Sequence, residues 1–178
     1  MSNLFQKLEI EAFRNGITPR TQESMRWFRQ KALKLGRIGP QRMMDDESLT
    51  QRSNVDKNPM GSMYMFMYDP KHKNTLPYYD TFPLIIMYGS APGGFLGLNL
   101  HYMEPALRAK ALDAILGSGE MPGKYIKPMI KHYLMKHVTS RFAEVDKPEW
   151  EIATFLPLAR FKKATAGTVY AESKRKMR

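Results

Sequence analysis

The sequence predicts an α+β domain: a small antiparallel β-sheet, or a partly closed SH3-like barrel, with packed helices and a basic helical N-terminal arm. Three observations lead there. Residues 62–103 hold six of the nine tyrosines and three of the nine phenylalanines, in short apolar runs separated by turn residues, as strands require. The stretches on either side are mostly helical in their apolar spacing. Charge divides the chain the same way: the net +11 splits, by direct count, into +4 over residues 1–57, zero over 58–103, +3 over 104–140 and +4 over 141–178. The expected organisation is a helical basic arm and linker over 1–57, an α+β core over 58–160 and a basic tail over 161–178. With 178 residues, 43% of them hydrophobic, the chain is long enough for one real core and too apolar for wholesale disorder.

Leu4, Phe5, Leu8, Ala12 and Phe13 share one face of a short helix that Asn15-Gly16 stops. Thr18-Pro19 reads as the N-cap and first position of a longer helix, because proline's missing N–H costs nothing there. Met25, Phe28, Ala32 and Leu35 make its buried stripe, Arg26, Arg29, Lys31 and Lys34 flank it, and Gly36 is placed to end it. No acid occurs from Met25 to Met44, so this run, with Arg37, is the first candidate surface for a polyanion. Residues 39–61 read as a linker. Its acids Asp45, Asp46 and Glu47 point in different directions on any regular element, which suits a solvated turn better than a metal site.

Residues 63–68 alternate methionine with aromatics, so a strand there is expected to be covered on both faces. Asp69-Pro70 breaks it, residues 71–74 form a loop tip, and residues 76–80 are extended because a residue before proline is pushed out of helical geometry. Strands near 82–88 and 95–102 are joined by a glycine-rich hairpin at 89–94. A phosphate-cradling loop at that place would need a lysine and a helix after it, and a strand follows instead. Helices are expected near 104–116 and 124–140, the second setting Lys124, Lys127 and Lys131 along an outer face as a lysine ladder. Trp150, Ile152, Thr154 and Leu156 alternate as a last strand near 150–156. Beyond it Arg160, Lys162, Lys163, Lys174, Arg175 and Lys176 make the tail basic, with Val169-Tyr170 placed to dock on the body.

No catalytic motif stands out. The chain has no cysteine, which removes disulfides, thiolate nucleophiles and cysteine-based zinc sites together. His132 and His137 are five apart, which on a helix turns them to different faces and rules against a zinc pair, while His72 and His101 stand alone. A metal-dependent nuclease would need converging carboxylates, and the β region offers only Asp69, beside Lys71, and Asp80. The expectation is a non-enzyme without cofactor or metal. No apolar run approaches the roughly 20 residues of a membrane span, so no membrane partner is expected and the protein reads as soluble. The fourteen methionines read as core filler, with Met63, Met65 and Met67 on a pliable strand face. A neutral centre with basic flanks points to nucleic acid, and the three basic groups named above are the candidate contacts.

The blocks GSMYMFMYDPKHKNTLPYYDTFPLIIMY and GGFLGLNLHYMEPALRAKALDAI, followed by YIKPMIKHYLMKHVTSRF and EWEIATFLPLARFKKATAGTVYAESKRK, resemble virion proteins of T-even-like tailed bacteriophages, the DNA end protectors. The resemblance covers nearly the whole chain from Met25 onward. It implies a non-enzymatic structural protein, made in the host cytoplasm and carried in the virion. Such a protein would sit on the terminus of packaged double-stranded DNA near the portal and neck and shield it from exonuclease. Other virion proteins, such as portal, neck or baseplate subunits, are implied partners, in a symmetric particle that allows an oligomer. The resemblance brings no catalytic residue and no cofactor. Two other readings stand beside it: an assembly or plug protein docking basic arms on acidic neighbours, and a metal-dependent nuclease.

Overall fold

The computed structural model describes residues 4–35, 39–44, 60–118 and 123–178. Its strands are β1 (Met63–Met65), β2 (Tyr79–Asp80), β3 (Leu84–Ala91), β4 (Gly94–Asn99), β5 (Ile130–Leu134), β6 (Ala143–Val145) and β7 (Phe161–Lys162). Its α-helices are α1 (Leu4–Arg14), α2 (Gln22–Leu35), α3 (Pro40–Met44), α4 (Pro105–Ser118), α5 (Gly123–Ile126), α6 (Trp150–Phe155) and α7 (Ala166–Lys176). Five strands form an antiparallel sheet in the order β5-β4-β3-β1-β6, and β2 pairs with β7 in a separate antiparallel ladder. The α+β class follows the sequence expectation, and the sheet is open, with β5 and β6 at its edges, where a partly closed barrel was the other expectation.

The alternation at 63–68 does what it predicts. Met63 and Met65 join Leu84, Ile86 and Leu98 in the main core, against Phe5 and Leu8 of α1, Phe28 of α2 and Trp150 and Ile152 of α6. Tyr64, Phe66 and Tyr68 turn to the other face and join Ile85, Met87, Phe95 and Tyr133. There the rings meet edge-on, Phe66 lying 5.3 Å from Tyr133 and 5.7 Å from Phe95 between centroids, the geometry that aromatic quadrupoles favour. Phe142 and Val138 cover this second cluster. The β3–β4 hairpin turns at Pro92-Gly93, where Gly93 has φ +75°, and Gly94 lies so near β5 that a Cβ would stand 1.8 Å from the Tyr133 carbonyl oxygen.

The structure corrects three local expectations. The helix expected over 124–140 is only the single turn of α5, and Ile130–Leu134 is the edge strand β5 beside β4. Pro128 is the reason, since it lacks the N–H a helix interior needs and its ring clashes with the carbonyl one turn back. The lysine ladder is therefore not formed: Lys124 lies on α5, Lys127 in the turn after it, and Lys131 on β5, paired with Gly97. The strand expected over 150–156 is helix α6, in which Trp150 and every residue from Ile152 to Phe155 are buried. A helix buried on all sides shows no 3.6-residue stripe, so its accidental two-residue alternation misleads. The edge position goes to β6, and the Trp150 Nε1–H donates to the Val145 carbonyl at 2.8 Å.

The third correction concerns α2, which begins at Gln22, after a turn in which Arg20 has φ +61°. Thr21 and Ser24 cap it reciprocally: Ser24 N–H donates to Thr21 Oγ1 at 3.1 Å and Thr21 N–H to Ser24 Oγ at 2.9 Å. Gly36, Arg37 and the acids at 45–47 lie outside the described residues. The chain end is helical and docked: Thr165 caps α7, whose Val169 and Ser173 are buried. Among the described residues no helix is long and apolar enough to cross a membrane.

Candidate nucleic-acid interface

Pro77 holds residues 76–78 extended and delivers the chain into the short β2–β7 ladder, which sets Tyr78 and Tyr79 on the wall of a cavity of about 620 Å³. Tyr102, from the 3₁₀ turn after β4, and Lys131, His132 and Tyr133 of β5 form another wall. The loop residues Lys71 and His72 and the last residue of α7, Lys176, complete the rim. The Tyr78 and Tyr102 rings lie 6.1 Å apart, and the Lys131 ammonium sits 3.9 Å from the Tyr102 centroid, a close cation–π contact.

Beneath these rings lies a buried polar network. Asp80, 3% exposed, accepts the N–H groups of Phe82 (3.0 Å) and Arg160 (3.1 Å) on Oδ1, and the Asn99 amide (3.1 Å) and His101 Nδ1 (2.8 Å) on Oδ2. Burial works against the carboxylate, but His101 and these donors outweigh it and hold Asp80 below the ordinary carboxylate range. Burial likewise keeps His101 below its ordinary value, with Asp80 only partly offsetting it, so His101 is neutral and its proton is on Nδ1, donated to Asp80. Asn99 also donates to the Tyr133 hydroxyl at 3.1 Å. Arg108, 2% exposed, ties the network to its surroundings, donating to the Met103, Thr154 and His101 carbonyls and to the Tyr170 hydroxyl of α7. His101 Nε2 is buried with no hydrogen-bond partner, while the bonds to Asp80, Asn99 and Arg108 fix the rest of the floor beneath the tyrosines.

The cleft's charge is tuned by its own crowding. Burial first, and then the Lys176 ammonium, lower the Lys131 pKa from 10.5 to about 8. Burial raises the phenols of Tyr78, Tyr102 and Tyr133. Glu172 and Arg175 act on the Tyr78 hydroxyl with opposite signs, which places the end of α7 along this side of the cleft.

The basic residues singled out by sequence fall into separate places. Lys131 and Lys176, 45 positions apart, line the same cleft. Lys162 is paired with Tyr79 across the β2–β7 ladder, and Lys163 donates to the Leu76 carbonyl at 3.0 Å, so both lie beside it. Arg175 bonds Glu172, and Lys174 is paired with Glu104 at 2.9 Å. Arg29 and Arg160 meet in a different cavity of about 470 Å³, with Arg108 and Tyr170. Lys31 is paired with Glu11, while Arg26 and Lys34 are exposed on α2, and Lys124 and Lys127 are exposed around α5. A third cavity of about 490 Å³, between α1, α2, α4 and α6, is apolar and includes Ile10 and Phe13.

Sequence reasoning missed the tyrosines, since it took its candidate contacts from the basic residues alone and read residues 76–80 only as an extended segment. The available signal was the interleaving of Lys71, His72 and Lys73 with Tyr78 and Tyr79 over nine residues, the mixture of cations and rings that nucleic-acid surfaces use. The carboxylates weighed for metal chemistry do not form a site. Asp69 is exposed and bonded to Lys73 at 2.9 Å, Asp80 is committed to the buried network, and among the described residues no three His, Asp or Glu groups could hold a metal ion together.

Fold and site together define an α+β protein with a lysine-rimmed, tyrosine-lined cleft, the surface chemistry of proteins that handle polyanions. The chain belongs to the family of the phage T4 terminal DNA protecting protein, whose family model matches residues 5–122, more than half of its length. It is thus a phage protein of the DNA-end-protecting kind, as the resemblance implied, and DNA is the partner that description names. No curated protein and no solved structure matches it. The match takes in Tyr78, Tyr79 and Tyr102, whereas Lys131, Tyr133 and Lys176 come from the remainder.

Proposed function

We propose that this protein binds DNA without base-sequence preference and, as a non-enzymatic virion component, shields the packaged terminus near the portal and neck. The observation that carries the reading is the convergence of Lys131 and Lys176 on a cleft walled by Tyr78, Tyr79 and Tyr102. Lysines neutralise phosphates whatever the sequence, and rings stack on any base. Lys71, Lys162 and Lys163 extend the positive rim around and beside the cleft. The test is a fluorescence-anisotropy titration of labelled linear DNA against salt. Affinity is expected to fall steeply with salt, and Lys131→Gln with Lys176→Gln to flatten the slope by about two contacts, roughly 1.4–1.8 in log K against log salt. Wild-type slopes in the double variant refute the cleft as the contact surface.

A second reading, a neck or baseplate assembly protein docked through basic arms on acidic neighbours, is favoured by one observation. Arg26 and Lys34 are exposed on α2 and do not line the cleft. Under that reading Arg26→Gln with Lys34→Gln yields incomplete particles while DNA affinity is unaltered. The nuclease reading has no such support, and incubation of DNA with magnesium or manganese tests it directly.

A further inference from the structure

We infer that the tyrosine cleft takes an unpaired nucleotide, so that the protein grips DNA where a strand end has come out of the helix and not along the intact duplex. This rests on the DNA-binding reading above and names the form of DNA that fits the cleft. Size decides first. A cavity of about 620 Å³ is the size of a site for one small molecule, within the usual range of about 300–1,000 Å³, and a nucleotide is a ligand of that class. A duplex, whose major groove alone is about 12 Å across, cannot enter it. Bases inside the duplex are paired and stacked, and taking one out costs a few kcal/mol, least where it is already single-stranded.

The lining supplies both halves of a nucleotide site. At 6.1 Å the Tyr78 and Tyr102 rings are already packed together, so a base does not slot between them. It stacks on half-exposed Tyr78, which Tyr102 backs. Lys131 and Lys176 share the cleft with no carboxylate but that of Asp80, and the four hydrogen bonds to Asp80 leave it committed below the rings. A bound phosphate answers both ammonium groups. Burial first, and then the neighbouring Lys176 ammonium, lower Lys131, and an anion between the two ammonium groups relieves their repulsion.

The experiment compares three DNAs of one sequence with the full-length protein: a relaxed double-stranded circle, a blunt linear duplex, and that duplex extended by a short single-stranded tail ending in 2-aminopurine. The tailed duplex is expected to bind at least about fivefold more tightly than the circle, the gain one stacked base brings. Its 2-aminopurine emission is expected to fall on binding. Tyr78→Leu brings the tail-to-circle ratio towards one, and Tyr78→Phe, which keeps the ring, retains it. A wild-type ratio near one with unchanged 2-aminopurine emission overturns this inference and leaves DNA binding standing. Failure to bind any of the three DNAs overturns both.

Discussion

Raising the pH from 7 to 9 is expected to weaken DNA binding through one side chain, Lys131. Its pKa of about 8 means that about nine in ten molecules carry the charge at pH 7 and about one in ten at pH 9. Phosphate pairs with the protonated form, so the contribution is nearly complete at pH 7, about half gone at pH 8 and lost as the pH rises beyond it. The groups that face Lys131 do not blur this window. Tyr78, Tyr102 and Tyr133 are all raised above the ordinary phenol value, and Asp80 is held below the ordinary carboxylate value. Lys71, His72, His132 and Lys176 share the cleft and are common to wild type and variant. One phosphate contact changes the slope of log K against log salt by about 0.7–0.9, which at 0.1 M salt is a factor of about five to eight in affinity. The assay is anisotropy of a labelled tailed duplex at pH 7, 8 and 9, each at several salt concentrations. Lys131→Gln is expected to bind at pH 7 as weakly as wild type does at pH 9, with a flat profile between. If wild type and Lys131→Gln lose affinity in parallel over this range, the assignment to Lys131 is wrong.

Three further outcomes follow from the fold. Gly94→Ala drives a Cβ into the Tyr133 carbonyl, and both atoms belong to paired backbone that cannot swing aside, so a loss of more than about 3 kcal/mol is expected, read as a lowered thermal midpoint or insoluble protein. Asp80→Asn puts an N–H donor where a carboxylate oxygen accepts two hydrogen bonds, leaving buried donors unmet, and is expected to cost about 1–3 kcal/mol in urea unfolding. Acid unfolds the protein in a defined window. Neutral His101 is held below 6.5, so its contribution is present above that value and lost as pH falls below it. The Asp80 contribution is lost only on further descent below 3.8. A urea midpoint unchanged between pH 7 and 5 contradicts the neutral-histidine assignment.

How far the sequence reached depended on where the physical cause lay. The β1 segment was readable because its two faces meet two different apolar clusters, so methionine and aromatic residues alternate with the strand's own period. Helix α4 was equally plain, since Pro105 opens it and Gly117 lies near its end. Over residues 124–140 the apolar spacing points to one helix, and Pro128, a purely local veto, overrides it. Helix α6 had no such local mark: burial all round removes the stripe that identifies a helix, and only its neighbours α1, α2 and α4 explain why it is apolar on every side.

The same division holds for the site. Composition and charge by themselves determined the class, a basic chain with a neutral aromatic centre and no catalytic constellation, because those properties are sums over residues and need no coordinates. Which cations share a cleft was decided only by tertiary structure. Tyr78, Tyr102, Lys131 and Lys176 come from a loop, a 3₁₀ turn, an edge strand and the last helix, and no spacing along the chain relates them. Lys131 is also a half-buried, readily titrated lysine only because Lys176 and the tyrosine walls surround it, and both desolvation and repulsion between charges are properties of the folded neighbourhood.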